Sequence, residues 1–190
     1  KMIKNYFIKN MVCDRCIKVV KDELLLVGVD VKEVLLGSVS IETEDEVESQ
    51  LKMEQILLEN GFGLITNAEV IIVEKVKLEL IKLLNDLPLN LNGKLSELLA
   101  SKLNSDYSKI SKMFSSTEKI TIEKYFIKLK IEKAKELIQA KELNFTEISQ
   151  HLDYSNTNYL SRQFKNETGM SMSAYRDLNK NFRISLDQIL

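Results

Sequence analysis

The chain has 190 residues, 44% of them hydrophobic and 29% charged, which is enough apolar material for a core and excludes a disordered polymer. One proline and six glycines favour long helices over irregular loops, and no apolar run approaches the roughly 20 residues of a membrane span. The net charge of −1 hides a split: residues 1–93 carry 11 Lys+Arg and 16 Asp+Glu, a net −5, while residues 94–190 carry 16 and 12, a net +4. Such a division reads as two functions, with any polyanion-binding one in the second half.

Lys1 precedes Met2, so Met2 is read as the native start. With no signal peptide at the front, the expected location is the cytoplasm, where the two cysteines stay reduced and available for metal or redox chemistry.

The first third alternates strand and helix signals. Met2 to Asn10 is rich in Ile, Tyr and Phe and predicts a strand. From Cys13 to Leu26, Ile17, Val20 and Leu24 recur at helical spacing. Val29–Leu35 and Val39–Glu42 read as strands around a turn at Gly37-Ser38. Glu44 to Asn60 predicts a helix with Val47, Leu51, Ile56 and Leu58 on one side, closed by Gly61 in a left-handed cap; Phe62–Thr66 is a last short strand. The acidic run from Glu42 to Glu48 is read as a solvated helix start, where negative charge suits the helix dipole. The order βαββαβ forms a four-stranded sheet with two helices on one face.

Cys13 and Cys16 fall between the first strand and the first helix. Two thiols spaced by two residues can converge on one soft cation, and the helix N-terminus is expected to lower the thiol pKa. With the βαββαβ order, Met11 two residues before Cys13, and Gly61-Phe62 before the last strand, residues 2–67 resemble the heavy-metal-associated domain of copper chaperones and metal pumps. The resemblance implies a ferredoxin-like fold with Cys13 and Cys16 as ligands of Cu(I) or another soft metal. Asn10 stands where that family has a glycine. A structural zinc site lacks ligands here, because it needs four and the chain adds one distant histidine, His151. A redox pair and a contact module without metal are the other readings.

Glu69 to Asp86 predicts an amphipathic helix, with Val73, Val76, Leu80, Leu83 and Leu84 at helical spacing and Leu87-Pro88 at its end. As a linker between two cored domains it would leave an apolar stripe exposed, which predicts a homodimer.

The second half reads as short helices around one long helix, Thr121 to about Ala140. Ser96–Leu103 is a short helix with Ser96 as cap, Asn104 supplies a tight turn, and Asp106 caps a second helix, Tyr107–Ser115. Ile110, Met113 and Phe114 point inward, leaving Ser108, Ser111, Lys112 and Ser115 as an outward stripe, with Lys109 beside it. The pattern returns about fifty residues later. Asn144 and Glu147 resemble a capping box, Asp153 takes the turn, and a helix from Asn156 points Leu160 and Phe164 inward and Asn158, Ser161, Arg162 and Lys165 outward. Small polar groups beside cations are the types that meet base edges and phosphates in a major groove. A plain helical bundle with solvated stripes is the competing reading.

The long helix Ile122–Ile138 and the stretch Phe145–Arg176 resemble the AraC family of regulators, over residues 93–177. The resemblance implies two helix-turn-helix subdomains joined by the long helix, each placing a recognition helix in the major groove of double-stranded DNA. The contacting set would be Ser108, Lys109, Ser111, Lys112, Ser115, Asn156, Asn158, Ser161, Arg162 and Lys165. The chain departs from the family pattern at Ser149 for alanine, Asp153 for glycine, Met172 for proline and Lys119 for glycine.

The expectation is therefore an α+β protein: a ferredoxin-like βαββαβ domain (2–67), a linking helix (68–92), an all-α double helix-turn-helix domain (93–177) and a tail (178–190). Its expected role is a cytoplasmic regulator that binds DNA and responds to a soft metal. The rival is a Cu(I) trafficking protein whose helical half docks a partner. No nucleophile–base pair, phosphate loop or convergent carboxylates point to an enzyme.

Overall fold

The computed structural model describes residues 1–91, 93–178 and 182–189; of the expected tail, 179–181 and 190 lie outside the described residues. The chain divides into two compact units, Lys1–Leu78 and Glu79–Leu190.

The first unit contains β1 (Met2–Lys9), α1 (Asp14–Leu26), β2 (Asp30–Leu35), β3 (Ser38–Thr43), α2 (Glu46–Glu59) and β4 (Gly63–Ile65). Its four strands form one antiparallel sheet in the order β2-β3-β1-β4. Alternation sends Ile8, Val39 and Ile41 to one face, where they bury against Val20 and Leu24 of α1 and Met53 and Leu57 of α2. At the β2–β3 turn Gly37 has φ +88°, and a Cβ there would collide with Leu78. Asp45 caps α2 by accepting from the Glu48 amide at 3.0 Å, so the acidic run serves the helix start.

Two expectations for this unit are corrected. Val47, Leu51 and Leu58 do not face the core with Ile56: they are exposed, and Met53 and Leu57 carry the buried side of α2. The apolar spacing of this helix fits two stripes about a third of a turn apart, and only one of them finds the sheet. The stripe on α3 (Ala68–Asn85) is also not exposed, since Val73, Val76 and Leu80 have no accessible surface and Ile81 and Leu84 are buried. The argument for a dimer through that helix therefore loses its basis.

The second unit holds the last residues of α3, then α4 (Leu95–Leu103), α5 (Tyr107–Glu118), α6 (Ile122–Ala140), α7 (Phe145–His151), α8 (Thr157–Thr168) and α9 (Met172–Arg176). The long α6 is the spine, with α5, α7, α8 and α9 packed against it. It buries Ile122, Tyr125, Phe126, Leu129, Ile131, Ala134 and Ile138. Glu132 and Lys135 are also buried on α6, as an ion pair; Glu132 Oε2 accepts from the Ile184 amide at 3.0 Å and Lys135 Nζ donates to the Phe182 carbonyl at 3.4 Å. Pairing plus these backbone partners offsets much of the desolvation cost of both charges. Ser96 is not the cap of α4: the helix begins one residue earlier, after Lys94 in extended conformation, which puts Ser96 inside the first turn.

Candidate nucleic-acid interface

The two short–long helix pairs, α4–α5 and α7–α8, are built alike. Asn104 turns α4 into α5 with φ +47°, and Asp153 turns α7 into α8 with φ +56°. Asp106 caps α5 by accepting from the Lys109 amide at 3.3 Å, and Asn156 caps α8 by accepting from the Tyr159 amide at 2.9 Å. Each long helix closes in a left-handed residue, Lys119 at φ +62° and Gly169 at φ +79°. A second cap then starts the next helix, Thr121 for α6 and Ser171 for α9. The cores repeat too: Phe114 meets Tyr125 and Phe164 meets Tyr175, both with ring centroids 5.5 Å apart.

This frame fixes which faces of α5 and α8 are outward. Ile110, Met113 and Phe114 are buried on α5, and Leu160 and Phe164 on α8. Among the expected contacting residues, Ser108, Lys109 and Lys112 are exposed on α5, and Ser111 and Ser115 are half-buried at the rim. On α8, Asn158, Arg162 and Lys165 are exposed and Ser161 is half-buried. Asn156 is exposed, but its side chain is engaged as the helix cap.

Three groups escaped the sequence reading. Tyr159 is 55% exposed on α8, one turn before Arg162 and next to Asn158. Lys130 of α6 lies over two rings, 5.2 Å from the Phe126 centroid and 4.7 Å from that of Tyr154, and burial pulls its pKa below the usual lysine value. Tyr154 in turn donates to Gln163 of α8, tying the turn to the exposed helix. The contacts of Tyr154 with Lys130 and Gln163 join segments far apart in sequence, and no local periodicity announces them.

The departures from the family pattern are accommodated. Ser149 is buried, its hydroxyl donating to the Thr146 carbonyl at 2.8 Å. Met172 is buried at the start of α9. His151 is half-buried, with Nδ1 donating to the Glu147 carbonyl at 2.8 Å, as a helical side chain satisfied within its own turn.

In the first unit, Cys13 occupies the cap position of α1 and Cys16 its first turn; the two sulfurs are 3.7 Å apart. Burial against the core pushes the Cys16 thiol up, partly countered by the amide bonds of the helix start. The net direction is thus opposite to the one expected at a helix N-terminus, because burial outweighs the amides that lower it. Met11 is buried, and its sulfur accepts from the Gly37 amide at 3.3 Å. Asn10 takes φ +70°, the conformation a glycine would adopt, and donates to the Gly61 carbonyl at 3.0 Å. Among the described residues no cluster of three or more His, Cys, Asp or Glu forms around this loop or elsewhere.

Residues 99–178 match a helix-turn-helix domain family. Residues 99–178 are thus a helix-turn-helix domain. In sequence, the chain is 30% identical over 78 residues to the Msm operon regulatory protein of Streptococcus mutans, which is 41% of this chain and 28% of that protein. The chain thus spans under a third of the length of that relative. Among solved structures, the C-terminal domain of AraT, a response regulator from Geobacillus stearothermophilus, is 24% identical with a TM-score of 0.49, covering 60% of this chain and 91% of its own. The C-terminal domain of the two-component response regulator yesN from Fusobacterium nucleatum is also 24% identical, with a TM-score of 0.47, covering 55% and 96%. By name, the Streptococcus mutans relative is a regulatory protein and these two structures are domains of response regulators. No helix among the described residues is long and apolar enough to cross a membrane.

Proposed function

We propose that the protein is a sequence-specific DNA-binding transcription regulator of the AraC family, with α5 and α8 as its recognition helices. The observation that carries this reading is the repeated frame of turn, cap and aromatic pair, which leaves the polar faces of α5 and α8 outward. Arg162, Asn158 and Tyr159 on α8 offer a bidentate donor, an amide and an aromatic edge, suited respectively to guanine, adenine and a thymine methyl. Lys109, Lys112 and Lys165 offer cations for phosphates. Selection of bound sequences from random double-stranded DNA tests the reading; it is expected to enrich one defined site, and no enrichment would overturn it.

The first unit is proposed to be a ferredoxin-like domain of the heavy-metal-associated kind, its soft-metal site acting as the signal. The strand order β2-β3-β1-β4 supports the fold. The sulfur separation of 3.7 Å supports the site, since two thiolates at this distance can both reach one ion with bonds of about 2.3 Å. With two protein sulfurs and, among the described residues, no cluster of three or more His, Cys, Asp or Glu, the set suits Cu(I) better than Zn(II). Titration with Cu(I) against a competing chelator, on free and DNA-bound protein, tests this. Tight binding lost in Cys13→Ser and altered by DNA is expected, because coupling between two sites is reciprocal. Tight binding that is equal with and without DNA would mean that the metal is not the signal.

A further inference from the structure

One lysine of α6 is held in a way that the outward stripes of α5 and α8 do not explain. Lys130 is half-buried, and among the described residues no carboxylate forms an ion pair with it. Its ammonium is answered instead by two rings, with Nζ 5.2 Å from the Phe126 centroid and 4.7 Å from that of Tyr154, and by the field of Asp153. Taking a cation partly out of water without an ion-pair partner is costly. A cation over two aromatic faces recovers part of that cost and holds both rings in a defined place.

Tyr154 carries that hold onward. It stands in the turn before α8, where its ring meets that of Tyr159, centroids 6.4 Å apart and tilted by 42°, and its hydroxyl donates to Gln163 Oε1. Tyr159 and Gln163 are four residues apart, so they share one face of α8. Tyr159 is exposed there, and Arg162 directly precedes Gln163. Tyr154 therefore touches α6 on one side and two successive turns of α8 on the other. The α4–α5 pair is built differently at this point: between the left-handed Asn104 and the cap Asp106 stands Ser105, whereas Asp153 and Asn156 are separated by Tyr154 and Ser155. The second turn is one residue longer and carries a ring where the first carries a serine.

We propose that Lys130 and Tyr154 are positioning residues for base reading: the cation fixes the Tyr154 ring, and the ring fixes Tyr159 and Gln163 on the face that α8 turns to DNA. The inference rests on α8 being a recognition helix, and adds the device that aims it from α6. A side chain already fixed loses less freedom on contact, and a fixed geometry discriminates between bases to which a mobile one can adapt.

Two measurements on the full chain test it, with Lys130→Met, which keeps an apolar stem without the charge, and Lys130→Arg, which keeps a cation over the rings. In the free protein, NMR couplings of the Tyr159 side chain are expected to report one χ1 rotamer in the wild type and in Lys130→Arg, and averaged rotamers in Lys130→Met. On DNA selected by the wild type, Lys130→Met should lose about fivefold of base discrimination in the segment read by α8, the size of one such cation–ring contact. The segment read by α5 should be unchanged, and Lys130→Arg should keep both. In a Tyr154→Leu background Lys130→Met should change nothing further, because the two residues act through one contact. A Tyr159 rotamer indifferent to Lys130→Met overturns the proposal, whatever the DNA result. So does an affinity loss equal for all sequences, the mark of a phosphate contact removed, or a loss of discrimination shared by both segments, the mark of a loosened fold. A wild type that selects no site overturns the reading of α8 and this proposal with it; a selected site with Tyr159 unmoved overturns the proposal alone.

Discussion

The two helix-turn-helix units share a frame and differ in what they mount on it. α5 presents Ser108, Lys109 and Lys112, flexible or short groups, while α8 presents Asn158, Tyr159 and Arg162, planar groups that can match a base edge. The closing residues differ in the same direction: α8 ends in Gly169, which adopts its left-handed conformation freely, and α5 ends in Lys119, which does not. The second unit also has the full capping box of Asn144 and Glu147, whereas α4 starts with no side-chain cap. On the proposed reading, one scaffold is tuned twice, with a firmer, more directional reader in the second copy and a softer, cationic holder in the first.

The largest effects should come from the shared frame. Phe114→Ala and Phe164→Ala each remove a fully buried ring from an equivalent aromatic pair, so each should cost about 3–5 kcal/mol in chemical denaturation. Costs that differ widely between the two would break the equivalence. Next come the readers. Arg162→Ala should lose about 1–3 kcal/mol of discrimination at one base position. Lys112→Ala should weaken all sequences alike and lower the salt slope of binding by about one. Titrations against the selected site and its single-base variants, at two salt concentrations, separate these patterns; identical behaviour of the two variants would erase the proposed division of labour.

Smaller effects follow from the closing residues. A Cβ on Gly169 meets nothing within 4 Å, so Gly169→Ala should cost about 1 kcal/mol from backbone conformation alone. Lys119→Gly should do the reverse, stabilising by about 0.5 kcal/mol once the extra freedom of the unfolded glycine is subtracted. The smallest effect concerns Tyr107, which donates to Glu123 at 2.5 Å. That bond, acting against partial burial, holds the Glu123 carboxyl below its ordinary value. A depressed carboxylate contributes stability that is present at neutral pH and is lost as pH falls from about 4.3 through the folded-state value. Tyr107→Phe should return Glu123 toward its ordinary value in an NMR titration and flatten the acid limb of the stability profile. The second unit has Thr157 and Ser173 at the corresponding positions, so no matching acid effect is expected there.

Much of this architecture was legible because it is written locally. Asp106, Asn144, Asn104 and Asp153 are residues whose short polar side chains suit caps and left-handed turns, and each sits where that chemistry was expected. The fifty-residue repeat made the inward and outward faces of α5 and α8 readable twice. What failed is settled by packing at a distance. On α2 the spacing allowed two apolar stripes, and only the position of the sheet selects Met53 and Leu57 over Val47, Leu51 and Leu58. On α3 the apolar stripe is read correctly, but Val73, Val76 and Leu80 are buried rather than exposed. Tyr159 and Lys130 carry no sequence signal of their own: an aromatic at helical spacing stands in water, and a lysine of the long helix lies over two rings.

The central claim is that both α5 and α8 engage DNA, with α8 the sharper reader. The most direct test is selection from random duplexes with the wild type and with Arg162→Ala, followed by footprinting of the selected site. The account predicts two recognised segments about 10 base pairs apart, one helical turn, with Arg162→Ala blurring only one of them. A single segment, or a substitution that leaves the whole site unchanged, would contradict it.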